Sequence, residues 1–313
     1  MSSVRTWRDY LVLSGKGVMM GAADAVPGVS GGTIAFMTGI YEELIASLHR
    51  CGPEALRVLT RQGIKAAWQH INGPFLLALV AGILLSIAGL ARGVLYLLHT
   101  YPEMLWSFFF GLILASSWLV VQHIDNWRGN ALTAFVSGTI LAYLITSISP
   151  AAVEPTPLLF FTSGMIAICA MILPGISGSF ILLLLGMYSP ILTAVKEFDL
   201  LVLCLFTGGC VIGLLSFARV LNWMFSSHRV ITLALLGGFM LGSLNKVWPW
   251  KYTTAYTINR HGEEIPLVQE NILPGSYEAL TGQSAWLGSA LILMLLGILL
   301  VILITRINRP AGQ

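Results

Sequence analysis

Two kinds of stretch alternate along the chain: long runs that are apolar on every face, and shorter apolar runs interrupted by Gly, Pro and Ser. Phe75 to Leu98 and Trp286 to Ile304 are of the first kind. About 20 unbroken apolar residues is the length of a membrane-spanning helix. The pattern excludes a transmembrane barrel, whose ~10-residue strands alternate apolar and polar positions. The second kind occurs twice, as Pro27-Gly28-Val29-Ser30-Gly31-Gly32 and as Pro174-Gly175-Ile176-Ser177-Gly178-Ser179. Proline lacks a backbone donor and glycine leaves backbone groups uncovered, so such a break survives in hydrocarbon only when buried in protein or facing a wet cavity. Each break therefore predicts the tip of a re-entrant helical hairpin.

The duplication extends beyond the hexamer. At a shift of 147, 7 of the 15 positions from 27 to 41 are identical, including Ile34 with Ile181, Gly39 with Gly186 and Tyr41 with Tyr188. At a shift of 127, Gly82 meets Gly209, Arg92 meets Arg219, Gly111 meets Gly238 and Ser116 meets Ser243; at 159, Gly138 meets Gly297. The pattern predicts an all-α integral membrane protein with an inverted-topology repeat. Residues 1–150 form the first half, with a hairpin at about 17–48, a basic amphipathic connection at 49–72, and spans near 73–98, 104–122 and 131–148. Residues 151–313 form the second, with a hairpin at about 158–195 and spans near 200–225, 230–247 and 286–305. Three spans per half is an odd number, so the halves insert in opposite orientations.

Composition agrees with the pattern: 56% of the 313 residues are hydrophobic and 10% charged, and the mean hydropathy is +0.82, values no soluble domain shows. Arg5, Arg8 and the small residues from Gly21 to Ala25 mimic a signal peptide, but Lys16 interrupts the apolar run and the following motif recurs internally, so the segment is expected to belong to the mature protein. Lysine and arginine set the orientation. With both termini inside, Arg5, Arg8, Lys16, Arg50, Arg57, Arg61, Lys65, Arg128, Arg229, Arg306 and Arg309 are cytoplasmic, against Lys196, Lys246, Lys251 and Arg260 outside. Trp7, Trp68, Trp127 and Trp223 then fall at the inner interface, and Trp106, Trp248, Trp250 and Trp286 at the outer one. The four cysteines form no Cys-x-x-Cys pair and the six histidines no paired spacing, so neither a disulfide framework nor a metal site is indicated. No cofactor and no nucleic-acid partner is expected.

Three sets of residues can carry chemistry. At the tips, Ser30, Gly31, Gly32 and Thr33, and Ser177, Gly178 and Ser179, offer hydroxyls and unpaired N–H groups to an anion; the plainer reading is close helix packing, as expected of Gly209-x-x-x-Gly213 and Gly238-x-x-x-Gly242. Arg92 and Arg219 recur in both halves and are costly within a span, so they would meet an anion at either opening, unless they snorkel to headgroups. Asp24, Glu42 and Glu43 belong to the first hairpin alone. Asp24, three residues before Pro27, is the expected proton or cation site, with Glu42 or Glu43 as a relay or simply at the inner interface.

Through Gly21-Ala22-Ala23-Asp24-Ala25-Val26-Pro27-Gly28-Val29-Ser30-Gly31-Gly32-Thr33 and Met171-Ile172-Leu173-Pro174-Gly175-Ile176-Ser177-Gly178-Ser179, the chain resembles the bacterial polyprenyl-phosphate transporters. The resemblance implies translocation of undecaprenyl phosphate from the outer to the inner leaflet of the cytoplasmic membrane, recycling the carrier lipid of the cell envelope. A homo-oligomer is compatible with it. A small-anion or carboxylate transporter is the alternative, since helix N-termini serve such solutes equally well. An intramembrane lipid phosphatase lacks the buried histidine or paired carboxylates it would need.

Overall fold

The computed structural model describes residues 5–26, 28–124, 127–150, 153–258 and 264–308. Pro27, Glu263 and Gln313 lie outside the described residues. Helix α1 (Trp7–Asp24) ends at the first break and is followed by two short helices, α2 (Gly31–Met37) and α3 (Tyr41–Arg50). Next come α4 (Pro53–Gln62), α5 (Ile64–His70), α6 (Gly73–Gly89), α7 (Ala91–Thr100), α8 (Pro102–Gln122) and α9 (Gly129–Ser147). Beyond residue 150 the order is α10 (Pro157–Ile172), α11 (Gly178–Leu184), α12 (Tyr188–Glu197), α13 (Leu200–Ser227) and α14 (Arg229–Ser243). A strand pair, β1 (Lys251–Ile258) and β2 (Glu264–Asn271), then leads to α15 (Pro274–Thr281) and α16 (Leu287–Asn308).

The protein is mostly helical and multi-pass. Among the described residues four helices, α8, α9, α13 and α16, are long and apolar enough to cross a membrane, and two bent pairs raise the number to six: α5 with α6, turning by 72°, and α11 with α12, turning by 107°. Leu295, Leu299 and Leu303, four residues apart on α16, are each more than half exposed, as a lipid-facing stripe should be.

The breaks have the same backbone. Gly28 and Gly175 sit at φ +97° and +95°, and Gly39 and Gly186 at +73° and +68°, a left-handed region open to glycine at little cost. The helices after them match in length, 7 residues for α2 and α11 and 10 for α3 and α12.

The paired glycines make paired contacts. A Cβ on Gly82 of α6 would lie 2.1 Å from the Ser14 carbonyl of α1, and one on Gly209 of α13 would lie 1.9 Å from the Phe161 carbonyl of α10. Likewise Gly111 of α8 approaches Met294 of α16, Gly238 of α14 approaches Phe135 of α9, Gly138 of α9 approaches Leu235 of α14, and Gly297 of α16 approaches Phe108 of α8. The expected small-residue packing is present too, since Gly213 and Gly242 face the Met165 and Thr139 carbonyls. Without a hydrophobic force between helices in lipid, such backbone-to-backbone fit supplies the attraction.

One expectation needs correction. The helix predicted over 73–98 is divided at Leu90 into α6 and α7, leaving α6 to bury Phe75, Leu79, Gly82 and Ser86 on the face toward α1. Beyond Trp250, β1 and β2 pair antiparallel, with Lys251 opposite Asn271 and Tyr252 opposite Glu270. The Thr- and Tyr-rich run 252–257 carries the β-forming composition, which hydropathy alone does not register.

Candidate functional site

The two breaks meet in the buried interior of the protein. Ser30 caps α2 and is fully buried; its Oγ accepts from the Gly32 N–H at 3.0 Å and lies within hydrogen-bond reach of the carbonyls of Met171 (3.2 Å) and Leu173 (3.1 Å) at the end of α10. Thr33 Oγ1 accepts from the Gly175 N–H at 3.0 Å, and the Tyr41 hydroxyl donates to the Ile172 carbonyl at 3.1 Å. The first hairpin is thus stitched to the broken backbone of the second, whose carbonyls would otherwise lack donors. Gly32 allows the approach, since a Cβ there would stand 2.5 Å from the Ile172 carbonyl.

Asp24 closes the last turn of α1 and turns back on α2, its Oδ1 accepting from the Gly31 N–H at 2.7 Å. A carboxylate thereby occupies a position that suits an anion. The second tip has no acid; the Ser177 and Ser179 hydroxyls pair with each other at 2.7 Å, and Gly178 fits beneath the Ala167 carbonyl.

The remaining sequence candidates lie elsewhere. Glu42 accepts from Arg229 Nη2 at 2.9 Å and from Nε at 3.2 Å. Glu43 is held by the Arg5 guanidinium and by Asn72 Nδ2 at 2.9 Å. Arg219 lies over the turn between α3 and α4, its Nη2 2.7 Å from where a Cβ on Gly52 would be. Arg92 is exposed at the second position of α7. The structure therefore joins Ser30, Gly32 and Thr33 to the second break, sets Asp24 on Gly31 within the first hairpin, and brings neither Arg92 nor Arg219 to them.

Two cavities flank the stitched tips. One, of 610 Å³, is lined by Thr38, Tyr41, Glu42, Glu43, His123 and Arg229 among others. The second, of 400 Å³, lies by the strand pair and includes Ser147, Phe180, Asn245, Lys246, Lys251 and Asn271. Among the described residues they share no lining residue, and none from 24–33 or 174–179 lines either. Arg229 begins α14 and Asn245 follows its end, so the cavities lie at opposite ends of a 15-residue helix, roughly 22 Å apart along its axis. Arg229, Lys246 and Lys251 were recognised in the sequence only as markers of orientation. The signal available for the last two is that they flank Trp248-Pro249-Trp250, which reads as an interfacial belt.

Among the described residues no group of three or more His, Cys, Asp or Glu side chains could hold a metal ion.

Known proteins are similar to this chain in sequence. A family profile described as undecaprenyl phosphate translocase-like matches residues 20–265. A polyprenyl-phosphate transporter of Vibrio cholerae serotype O1 is 52% identical over 295 residues, covering 94% of this chain and 96% of its own. A polyprenyl-phosphate transporter of Staphylococcus aureus is 33% identical over 255 residues, covering 75% of this chain and 84% of that one. No solved structure matches significantly. Both relatives carry the names of transporters rather than enzymes, and the profile spans the two breaks and the stitches between them; the chain belongs to the undecaprenyl phosphate translocase-like family.

Proposed function

We propose that the protein carries a polyprenyl phosphate, undecaprenyl phosphate in a bacterium, from the outer to the inner leaflet of the cytoplasmic membrane, by alternating access between two inverted halves. The observation that carries this reading is the pair of separate cavities at opposite ends of α14, with the two stitched tips between them. A head group moving from one cavity to the other must part those tips. Their N–H and hydroxyl groups then become donors for phosphate, while the polyprenyl tail stays in lipid. The relatives' names supply the substrate class.

Asp24 gives the step its coupling. Ionised, it holds the Gly31 N–H and repels a phosphate seeking the same donor; protonated, it gives the donor up. Moving a phosphomonoester of about −1.5 to −2 charge toward a negative interior is opposed by about 2.3 kcal/mol per charge per 100 mV. A proton taken up at Asp24 reduces the charge moved and frees the site in one event. Glu42 and Glu43, at the wall of the 610 Å³ cavity, lead it onward.

In proteoliposomes, Asp24→Asn is expected to bind undecaprenyl phosphate as well as the unaltered protein does, while its lipid translocation loses all response to an imposed pH gradient. Undiminished gradient-driven translocation by the variant would remove Asp24 from the coupling step. Equal transport of a soluble carboxylate or inorganic phosphate by the unaltered protein would replace the lipid substrate with a small anion.

A further inference from the structure

Lys246 and Lys251, in the cavity beside the strand pair, have no carboxylate partner among the described residues. The Lys246 side chain runs over Gly28, its Cγ 2.9 Å from where a Cβ on that glycine would be, and its Nζ stands 4.4 Å from the centroid of the Phe180 ring. Lys251 Nζ donates to the Lys246 carbonyl at 2.6 Å and stands 4.2 Å from the centroid of Trp106. The ion pairs among the described residues are Arg5 with Glu43 and Arg229 with Glu42, at the other cavity. Of the described residues lining the cavity only Glu270 is acidic, and it is exposed.

Burial pushes both ammonium groups below the ordinary lysine range, and Lys246 pushes Lys251 down further. Such a pair is costly to hold without a counter-charge, because desolvation disfavours each cation and each repels the other. An anion placed between them answers both. Asn245 and Asn271, bonded to each other at 2.8 Å, stand on the same wall.

Beside the cavity lies an apolar groove of 430 Å³, which shares Tyr143, Asn245 and Asn271 with it and is otherwise lined chiefly by residues such as Phe110, Ile140, Leu241 and Trp248. A polar chamber holding two lysines with no carboxylate partner among the described residues thus adjoins an apolar groove across a common wall. This division matches an amphiphile with an anionic head and a hydrocarbon tail.

We propose that these two compartments form the outer-leaflet loading site, in which Lys246 and Lys251 take the phosphomonoester head and the groove takes the first isoprene units of the chain. The proposal rests on the transport reading above and assigns it a receiving site beside the first tip, where Lys246 lies over Gly28.

The experiment measures binding to the purified full chain with three probes: undecaprenyl phosphate, undecaprenol and inorganic phosphate. Lys246→Met and Lys251→Met are each expected to weaken undecaprenyl phosphate binding tenfold or more while leaving undecaprenol binding unchanged. Lys246→Arg should restore most of the affinity, and Glu270→Gln should tighten it. Ile140→Trp, which fills the groove, should weaken both lipids and leave inorganic phosphate unaffected. Undecaprenyl phosphate binding unchanged in both methionine variants would overturn the loading site with the transport reading intact. Inorganic phosphate bound as tightly as the lipid would overturn the role of the groove. Failure of the unaltered protein to bind undecaprenyl phosphate would instead defeat the transport reading. Lys246→Arg separates loss of charge from loss of fold, since a misfolded methionine variant would also lose undecaprenol.

Discussion

Single residues decide how closely these helices approach. Gly208 and Gly209 are neighbours on α13, but a Cβ on Gly208 would have its nearest neighbour at 3.9 Å, whereas one on Gly209 would collide with the Phe161 carbonyl. Gly209→Ala is therefore expected to lower the thermal midpoint in detergent, by the ~1–3 kcal/mol typical of overpacking. Gly208→Ala should be neutral or slightly stabilising through its helix propensity; equal effects of the two substitutions would argue against the close contact. Gly209 was legible in the sequence because it recurs as Gly82. The partners of Ser30 and Thr33 were not, because a hydroxyl beside a broken helix reads the same whether it awaits a ligand or satisfies a carbonyl 141 residues away.

At the scale of elements, the two short helices α2 and α11 are held by what they cap and touch rather than by their own length. Seven residues make fewer than two turns, too few to be stable alone. The first leans on Asp24, Ser30 and Thr33, and the Thr33 bond to Gly175 ties it to the second break. Thr33→Val keeps the shape and leaves the buried Gly175 N–H without its acceptor, a loss of about 1–3 kcal/mol. Hydrogen exchange should accelerate at Gly175 in this variant while α16 keeps its protection; unchanged exchange at Gly175 would show that the stitch contributes nothing. The hairpins themselves were visible as doubled Pro-Gly breaks. The break at Leu90 carried no comparable mark, since Ala91-Arg92-Gly93 follows it without a proline, and the strand pair was hidden by a hydropathy scale blind to β-forming residues.

Across the whole molecule, orientation was read from lysine and arginine, and it is tested by labelling single-cysteine variants in intact cells. Cys51 is expected to react only after permeabilisation, and a cysteine introduced as Glu263→Cys from outside; labelling of both from one side would refute the inverted arrangement. The sequence repeat also marked the contacts that cross the molecule, because Gly111, Gly138, Gly238 and Gly297 recur in register and each receives a helix from beyond or before residue 150. What it could not show is that α9 packs on α14 and α8 on α16, rather than each on a neighbour within its own half.

That interleaving has a consequence for biosynthesis. Helix α9 is complete at Ser147, but α16, which covers Gly111 of α8, ends only at Asn308, 308 − 147 = 161 residues later. At the ~5–20 residues per second of translation, the first helices wait about 10–30 s in the bilayer before their partners emerge. Through that interval the carbonyl-lined glycine grooves and the buried Ser107, Ser116 and Ser117 of α8 face lipid or insertion factors. The nascent chain is therefore most open to degradation and mispairing while its second half is still on the ribosome, and stalling before α14 should leave a product that membrane proteases clear.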